Sequence, residues 1–269
     1  MLVHTVSCGK CRLRIGSMHG VMHTAMRAVY RLDTPMPLSP CVRRVHKPSM
    51  EQTTRLYEKL QSCTLENSEW NALYDAFVGR LILLETGHSA PGLGMDFPDL
   101  VLPDHLGRYQ KLTAVQADGP VVITFIRGGW CPWCRSELDS WNENLAALEA
   151  VGGRLVVIVG EVAGRADRIE SMLDGKAMVL CDIDHGAALD LGLAFHAGVE
   201  LVQRYLQAGL DLADIYGTDS GILPVPATFV VDPQGVVRYA FVDPDFRVRA
   251  EPLDVISVVQ ELGSGGGSN

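Results

Sequence analysis

Six consecutive residues, Val121-Val122-Ile123-Thr124-Phe125-Ile126, are apolar or β-branched, with no polar alternate to face water. Such a run predicts a strand buried on both faces, which needs helices above and below its sheet. The chain supplies them by alternation. Strand-like segments at 100–102, 109–112, 121–127, 154–159, 178–181, 228–231 and 236–241 interleave with helix-like segments at about 134–150, 164–174, 185–192, 199–213 and 252–262. The order predicts an α/β sandwich with a central sheet flanked by helices. Asp232-Pro233-Gln234-Gly235 is turn chemistry, so the last two strands are expected to form an antiparallel hairpin at one end of the sheet.

Outside this domain the pattern changes. Residues 1–49 are rich in Arg, Met, His and Ser and show no sustained period, so an arm without regular structure is expected there. Its composition is that of a transit peptide, and equally that of an upstream extension with Met50 as the true start. From 50 to 90 the spacing turns helical: Leu56 and Leu60, then Trp70, Leu73, Tyr74, Phe77 and Leu81, predict two helices that form an extension packed on the main domain. Ser89-Ala90-Pro91-Gly92 ends them, the domain proper spans 91–262, and 263–269 is a Gly/Ser tail.

Charge and cysteine usage narrow the function. The net charge is −9, but residues 1–50 carry eight basic residues against one acid, so the remainder stands at −16. An acidic body lacks the basic stripe that nucleic acid requires, and no apolar run approaches the length of a membrane span. Seven cysteines scattered over 269 residues do not resemble the framework of a small secreted domain. A reducing compartment, the cytoplasm, is expected, and there a close cysteine pair is more often catalytic or metal-binding than structural.

That pair lies in Arg127-Gly128-Gly129-Trp130-Cys131-Pro132-Trp133-Cys134-Arg135-Ser136-Glu137-Leu138, between the buried strand and a helix whose inward stripe is Leu138, Trp141, Leu145 and Leu148. Gly128 and Gly129 permit a sharp turn, and Pro132 suits the first helical position. Cys131 then falls at the N-cap, with Cys134 one turn later. Unpaired amides and the helix dipole favour a thiolate at Cys131, and Arg127 and Arg135 are expected to add to this. Such a thiolate attacks, and Cys134 resolves the product; the chemistry requires no cofactor and no metal, and it requires a sulfur that reactants reach. The competing zinc site would need Cys181, His185 or His196 as further ligands. Cys8 and Cys11 repeat the spacing without an adjoining strand, and Cys63 and Cys181 are expected to be buried and inert. Pro226, just before the strand at 228–231, is either a cis proline brought beside the reactive sulfur or an ordinary trans one.

These motifs resemble the thioredoxin-fold superfamily, and within it the peroxiredoxin-like branch of the alkyl hydroperoxide reductase/thiol-specific antioxidant group. The resemblance runs from about Phe97 to the end of the domain: Asp96-Phe97-Pro98-Asp99-Leu100 before Gly107, the block from Phe125 to Arg135, and the strand Thr228–Asp232 with Gly235. It implies a thioredoxin-like three-layer sandwich with a mixed sheet. Two templates imply different nucleophiles. The thioredoxin pattern Trp-Cys-X-X-Cys matches Trp130, Cys131 and Cys134, makes Cys131 the nucleophile and puts Pro226 at the cis-proline position. The buried aspartate of that template falls on Phe125. The peroxiredoxin pattern Pro-X-X-X-Thr-X-X-Cys, aligned on Cys134, puts Arg127 in place of its proline and Cys131 in place of its threonine. Glu137 then matches the glutamate three residues after the peroxidatic cysteine, and the arginine of a later strand falls on Pro226, which leaves Arg127 as its substitute.

The leading expectation is a Cys131/Cys134 oxidoreductase that reduces hydroperoxides, with Cys131 as nucleophile and Cys134 as its rival, recycled by an external dithiol of the thioredoxin or glutaredoxin type. A thioredoxin-type protein disulfide reductase and a non-catalytic redox-switch module are the alternatives. A homodimer is a candidate assembly. The apolar segment 199–221 is read as one more covering helix, in preference to a cleft wall or dimer contact.

Overall fold

Val121–Ile126 is the middle strand of a five-stranded sheet, as its two apolar faces require. The structure, a computed structural model, describes residues 55–265. The expectations for residues 1–49, including Cys8 and Cys11, lie outside them, as do the last residues of the tail. In chain order the helices and strands are α1 (Arg55–Glu66), α2 (Asn71–Leu83), β1 (Val101–Pro103), β2 (Tyr109–Lys111), α3 (Leu112–Gln116), β3 (Val121–Ile126), α4 (Pro132–Ala150), β4 (Arg154–Val159), α5 (Ala166–Met172), β5 (Met178–Cys181), α6 (Gly186–Asp190), β6 (Ala194–His196), α7 (Val199–Gln207), α8 (Leu212–Tyr216), β7 (Ile222–Pro224), β8 (Ala227–Val231), β9 (Val237–Val242) and α9 (Pro252–Gly265).

The sheet order is β5-β4-β3-β8-β9. β3, β4 and β5 run parallel, and β8 and β9 antiparallel to their neighbours, so the sheet is mixed and ends in the expected hairpin. Alternation along β3 sorts its side chains between two cores. Val122 and Ile126 join Leu138, Trp141, Leu145 and Leu148 of α4 and Val255 and Val259 of α9. Val121, Ile123 and Phe125 join Leu112 and Val115 of α3 and Ala187 and Ala188 of α6. The result is the thioredoxin-like three-layer sandwich.

The helical extension is present and sits on the first of these layers. Leu56 and Leu60 of α1 are buried, Lys59 pairs with Glu143 of α4 at 3.0 Å, and Cys63 Sγ lies 3.2 Å from Ser136 Oγ of α4. Other expectations need correction. The helix expected over 199–213 is two, because Gly209 takes φ +82° and Asp211 then caps α8, its Oδ1 accepting from the Ala213 amide at 2.9 Å. The strand expected over 109–112 stops at Lys111, where Leu112 begins α3. The small sheet of β6 and β7 was not foreseen, since three residues are too few to display a period of two. Finally, α9 continues through Gly265, so the tail's first residues are helical.

Candidate active site

β3 delivers the chain to Arg127, and Gly128 turns it with φ +149°. A Cβ there would stand 2.6 Å from Glu161 Oε1 and 2.8 Å from the Trp130 ring, so the turn needs glycine. Cys131 takes the extended N-cap conformation (φ −82°, ψ 123°), and Pro132 occupies the first turn of α4. Tyr216 of α8 locks this turn: its hydroxyl donates to the Arg127 carbonyl at 2.5 Å and accepts from Trp130 Nε1 at 3.0 Å. Arg135 Nη1 donates to the carbonyls of Gly129 and Trp130 at 3.1 and 3.0 Å. Arg135 therefore supports the turn.

The two sulfurs differ sharply in proton affinity. Burial raises the Cys131 thiol, but the Cys134 side chain within hydrogen-bonding reach, then Arg127 and Arg249, outweigh it and bring Cys131 down to about 6. Burial pushes Cys134 up, and the neighbouring Cys131 pushes it further. One thiolate at the helix tip thus disfavours a second. Iodoacetamide is expected to modify Cys131 before Cys134. Its rate should be flat above neutral pH and fall about tenfold per unit of pH below the midpoint near 6. Mapping the adducts by mass spectrometry across pH checks this; a midpoint in the free-cysteine range would remove the electrostatic basis of the site.

Arg127 is fully buried, and among the described residues no carboxylate pairs with it. Nη2 donates to Tyr205 Oη at 2.7 Å, while Nε and Nη1 have no hydrogen-bond partner. Aromatic faces hold the cation instead: its centre lies 4.3 Å from the Phe246 ring and 4.7 Å from that of Trp130. A second buried cation, Arg249, comes from the loop between β9 and α9. Its Nε meets Glu137 Oε2 at 2.6 Å, its Nη2 lies 3.5 Å from Cys134 Sγ, and its Nη1 donates to the Phe246 and Val248 carbonyls. Glu137 Oε1 accepts from Thr124 of β3 at 2.7 Å. Burial raises the Glu137 carboxyl above its ordinary value, with Arg249 pulling the other way.

The expectation of reachable sulfurs fails in this structure, because both cysteines are 0 % exposed. The reason is an aromatic layer over the motif. Trp70 and Tyr74 of the extension stack at 5.6 Å, Trp70 stacks on Tyr205 of α7 at 5.4 Å, and Tyr74 meets Phe246 edge-on at 5.0 Å. Tyr205 in turn touches Trp130, and Trp133 Nε1 bonds Thr64 Oγ1 of α1 at 3.2 Å. Segment 199–221 is therefore more than one further covering helix: through Tyr205 and Tyr216 it holds Arg127 and the motif turn.

Of the remaining expected site residues, Pro226 is buried between β7 and β8, and the peptide bonds of the described residues are all trans, so it is not a cis proline. The peroxiredoxin template places an arginine at Pro226; the buried arginines at the motif are Arg127 and, far along the chain, Arg249. His185 is buried against Tyr216, with ring centroids 4.8 Å apart, and burial lowers it to about 4. His196 is exposed, with Nδ1 accepting from the Gly198 amide. Cys63 is buried as expected, whereas Cys181 is half-buried beside Asp104. Among the described residues no three metal-ligating side chains gather. Sequence reasoning missed Arg249, Tyr205, Tyr216 and Glu161. The usable signal was Glu137 on the inward face of α4, since a buried carboxylate demands a buried partner.

A model of the AhpC/TSA family matches residues 93–240, more than half of the chain. The chain belongs to the AhpC/TSA family. Solved structures similar to it include peroxidoxin BcpB from Mycobacterium tuberculosis, 18 % identical, covering 64 % of this chain and 98 % of that one with a TM-score of 0.50. Reduced Prx3 from Vibrio vulnificus in complex with hydrogen peroxide is 16 % identical over 62 % of this chain and 98 % of that one, also at 0.50. Peroxiredoxin 6 of Arenicola marina, 13 % identical, covers 66 % and 76 % at 0.52. At these identities the likeness shows the fold. A curated relative, the thiol:disulfide interchange protein DsbE of Pseudomonas aeruginosa, is 26 % identical over 150 residues, 56 % of this chain and 66 % of that protein. The chain thus spans just under two thirds of that relative's length.

Proposed function

We propose that this protein reduces hydroperoxides through a Cys131/Cys134 dithiol cycle. The thiolate of Cys131 attacks the terminal peroxide oxygen; the O–O bond breaks, the alcohol or water leaves, and Cys131 becomes a sulfenic acid. Cys134 then displaces the sulfenic oxygen as water, which leaves a disulfide. An external dithiol of the thioredoxin or glutaredoxin type reduces that disulfide by thiol–disulfide exchange. We place this cycle in the cytoplasm, where the few scattered cysteines remain reduced.

The observation that carries the reading is Arg127. A fully buried guanidinium with no carboxylate partner among the described residues, and with two of its nitrogens unpartnered, supplies what peroxide cleavage needs beside a thiolate. It balances the sulfur's charge and offers donors to the oxygen on which negative charge develops. The cycle requires the aromatic layer to part only far enough to admit a hydroperoxide of a few atoms to Cys131. The thiol:disulfide interchange relative favours a protein disulfide instead, but that substrate must bring a peptide chain to a sulfur now fully covered.

Stopped-flow mixing of reduced protein with one equivalent of hydrogen peroxide, followed by thiol mass spectrometry, tests the proposal. Fast conversion to a Cys131–Cys134 disulfide is expected, with slow reduction of insulin by the same sample. The Arg127→Met variant should lose about 100-fold in the peroxide step. Faster turnover of insulin than of peroxide would transfer the protein to disulfide reduction; a disulfide that forms but is turned over by no dithiol donor would make it a redox switch.

A further inference from the structure

The charge of Arg249 helps to lower the Cys131 thiol, but the contact that the buried pair Glu137–Arg249 makes with a sulfur is with the second one, Cys134. Arg249 is anchored on three sides. Its Nε is held by Glu137 at 2.6 Å, and its Nη1 by the carbonyls of Phe246 and Val248. The remaining nitrogen, Nη2, points at Cys134 Sγ from 3.5 Å. Glu137 is itself fixed by Thr124 at 2.7 Å, and both side chains of the pair are 1 % exposed. A guanidinium so tethered in a dry site is a preorganised cation for whatever charge appears on that sulfur.

We propose that Arg249, positioned by Glu137, is the catalytic residue of the resolving step, holding Cys134 as a thiolate once Cys131 has been oxidised and only then. The ordering follows from charge. While Cys131 is an anion, a second anion one helical turn away is opposed by it, and Arg249 is shared between the two sulfurs. Oxidation of Cys131 to a sulfenic acid or a mixed disulfide removes that negative charge. Arg249 then acts on Cys134 alone. Its proton departs, the thiolate attacks the Cys131 sulfur, and the S–O or S–S bond there breaks. The leaving hydroxide takes up a proton as water, or the leaving thiolate departs with its electron pair. Reduced protein therefore has one reactive sulfur, and a second appears only when there is something to resolve.

This inference rests on Cys131 as the first nucleophile, so its test avoids peroxide. One equivalent of 4,4′-dithiodipyridine releases one thiopyridone when Cys131 attacks and a second when Cys134 displaces the mixed disulfide, and rapid mixing times both. In Arg249→Met the ratio of the second rate to the first should fall about ten- to hundredfold, with the Cys131 adduct accumulating by mass. The pH midpoint of the second release should move upward, which a merely structural role would not cause. The doubly neutral variant Glu137→Gln/Arg249→Met guards against misfolding and should show the same slow second release. An unchanged ratio, or restoration of it in the double variant, overturns the assignment. Loss of the first release instead would also overturn it, by making Cys134 the attacking sulfur. A protein that resolves the pyridine disulfide normally but ignores peroxide would spare Arg249 and sink only the peroxidase reading.

Discussion

Replacing Cys131 by serine is expected to lower peroxide consumption by more than about 1000-fold, because a serine hydroxyl in the same place stays protonated at neutral pH and has no adjacent base. Cys134→Ser should behave differently: it consumes one peroxide per chain and stops at a Cys131 sulfenic acid, which a dimedone adduct on the tryptic peptide reports. Full peroxidase activity in Cys131→Ser would pass the nucleophile's role to Cys134, as the peroxiredoxin template requires. A second measurement separates the variants without any substrate. Cys131 has a lower proton affinity in the folded chain, about 6, than in the unfolded one. Reduced wild-type protein therefore gains stability over Cys131→Ser as pH rises from 6 into the ordinary thiol range, and loses that advantage as pH falls through 6. Urea denaturation at several pH values reads the difference.

The difference between what the sequence discloses and what it hides follows from contact range. β4 and β5 were legible residue for residue, and β3 to within its last residue, because a strand covered on both faces writes its burial into consecutive side chains. The Cys131–Cys134 turn was legible because glycine, proline and an N-cap act on immediate neighbours. Arg249, by contrast, is separated from Glu137 by 112 positions, and Tyr205 from Arg127 by 78. Nothing local marks an arginine in a loop as one that will be buried. The closed aromatic layer was hidden for the same reason: Trp70 and Tyr74 read as an amphipathic stripe in need of a partner, but the partner, Tyr205, lies on another helix. The template misled at Pro226, since a superfamily position carries a proline here without the cis geometry.

Glu137→Gln is expected to lower stability by about 3–5 kcal/mol, which corresponds to a drop in melting temperature on the order of 10 °C for a domain of this size. The cost does not measure the strength of the ion pair. It arises because the guanidinium of Arg249, 1 % exposed, would keep its charge with carbonyls, a protonated thiol and the shared Cys131 thiolate to face it, and no counter-charge of its own to balance it. Neutralising both partners should therefore recover more than half of the loss in the double variant with Arg249→Met, although each substitution alone destabilises. Thermal unfolding of the reduced forms separates the two cases. A loss below about 1 kcal/mol in Glu137→Gln is the signature of a solvated pair; water would then reach Arg249, and the cation could not act on Cys134 with the strength that a dry site gives it. In Glu137→Gln, stability and the resolving rate should accordingly fall together, since both depend on the same exclusion of water from the space between α4 and the loop that carries Arg249, whereas the double variant should regain stability without regaining the rate.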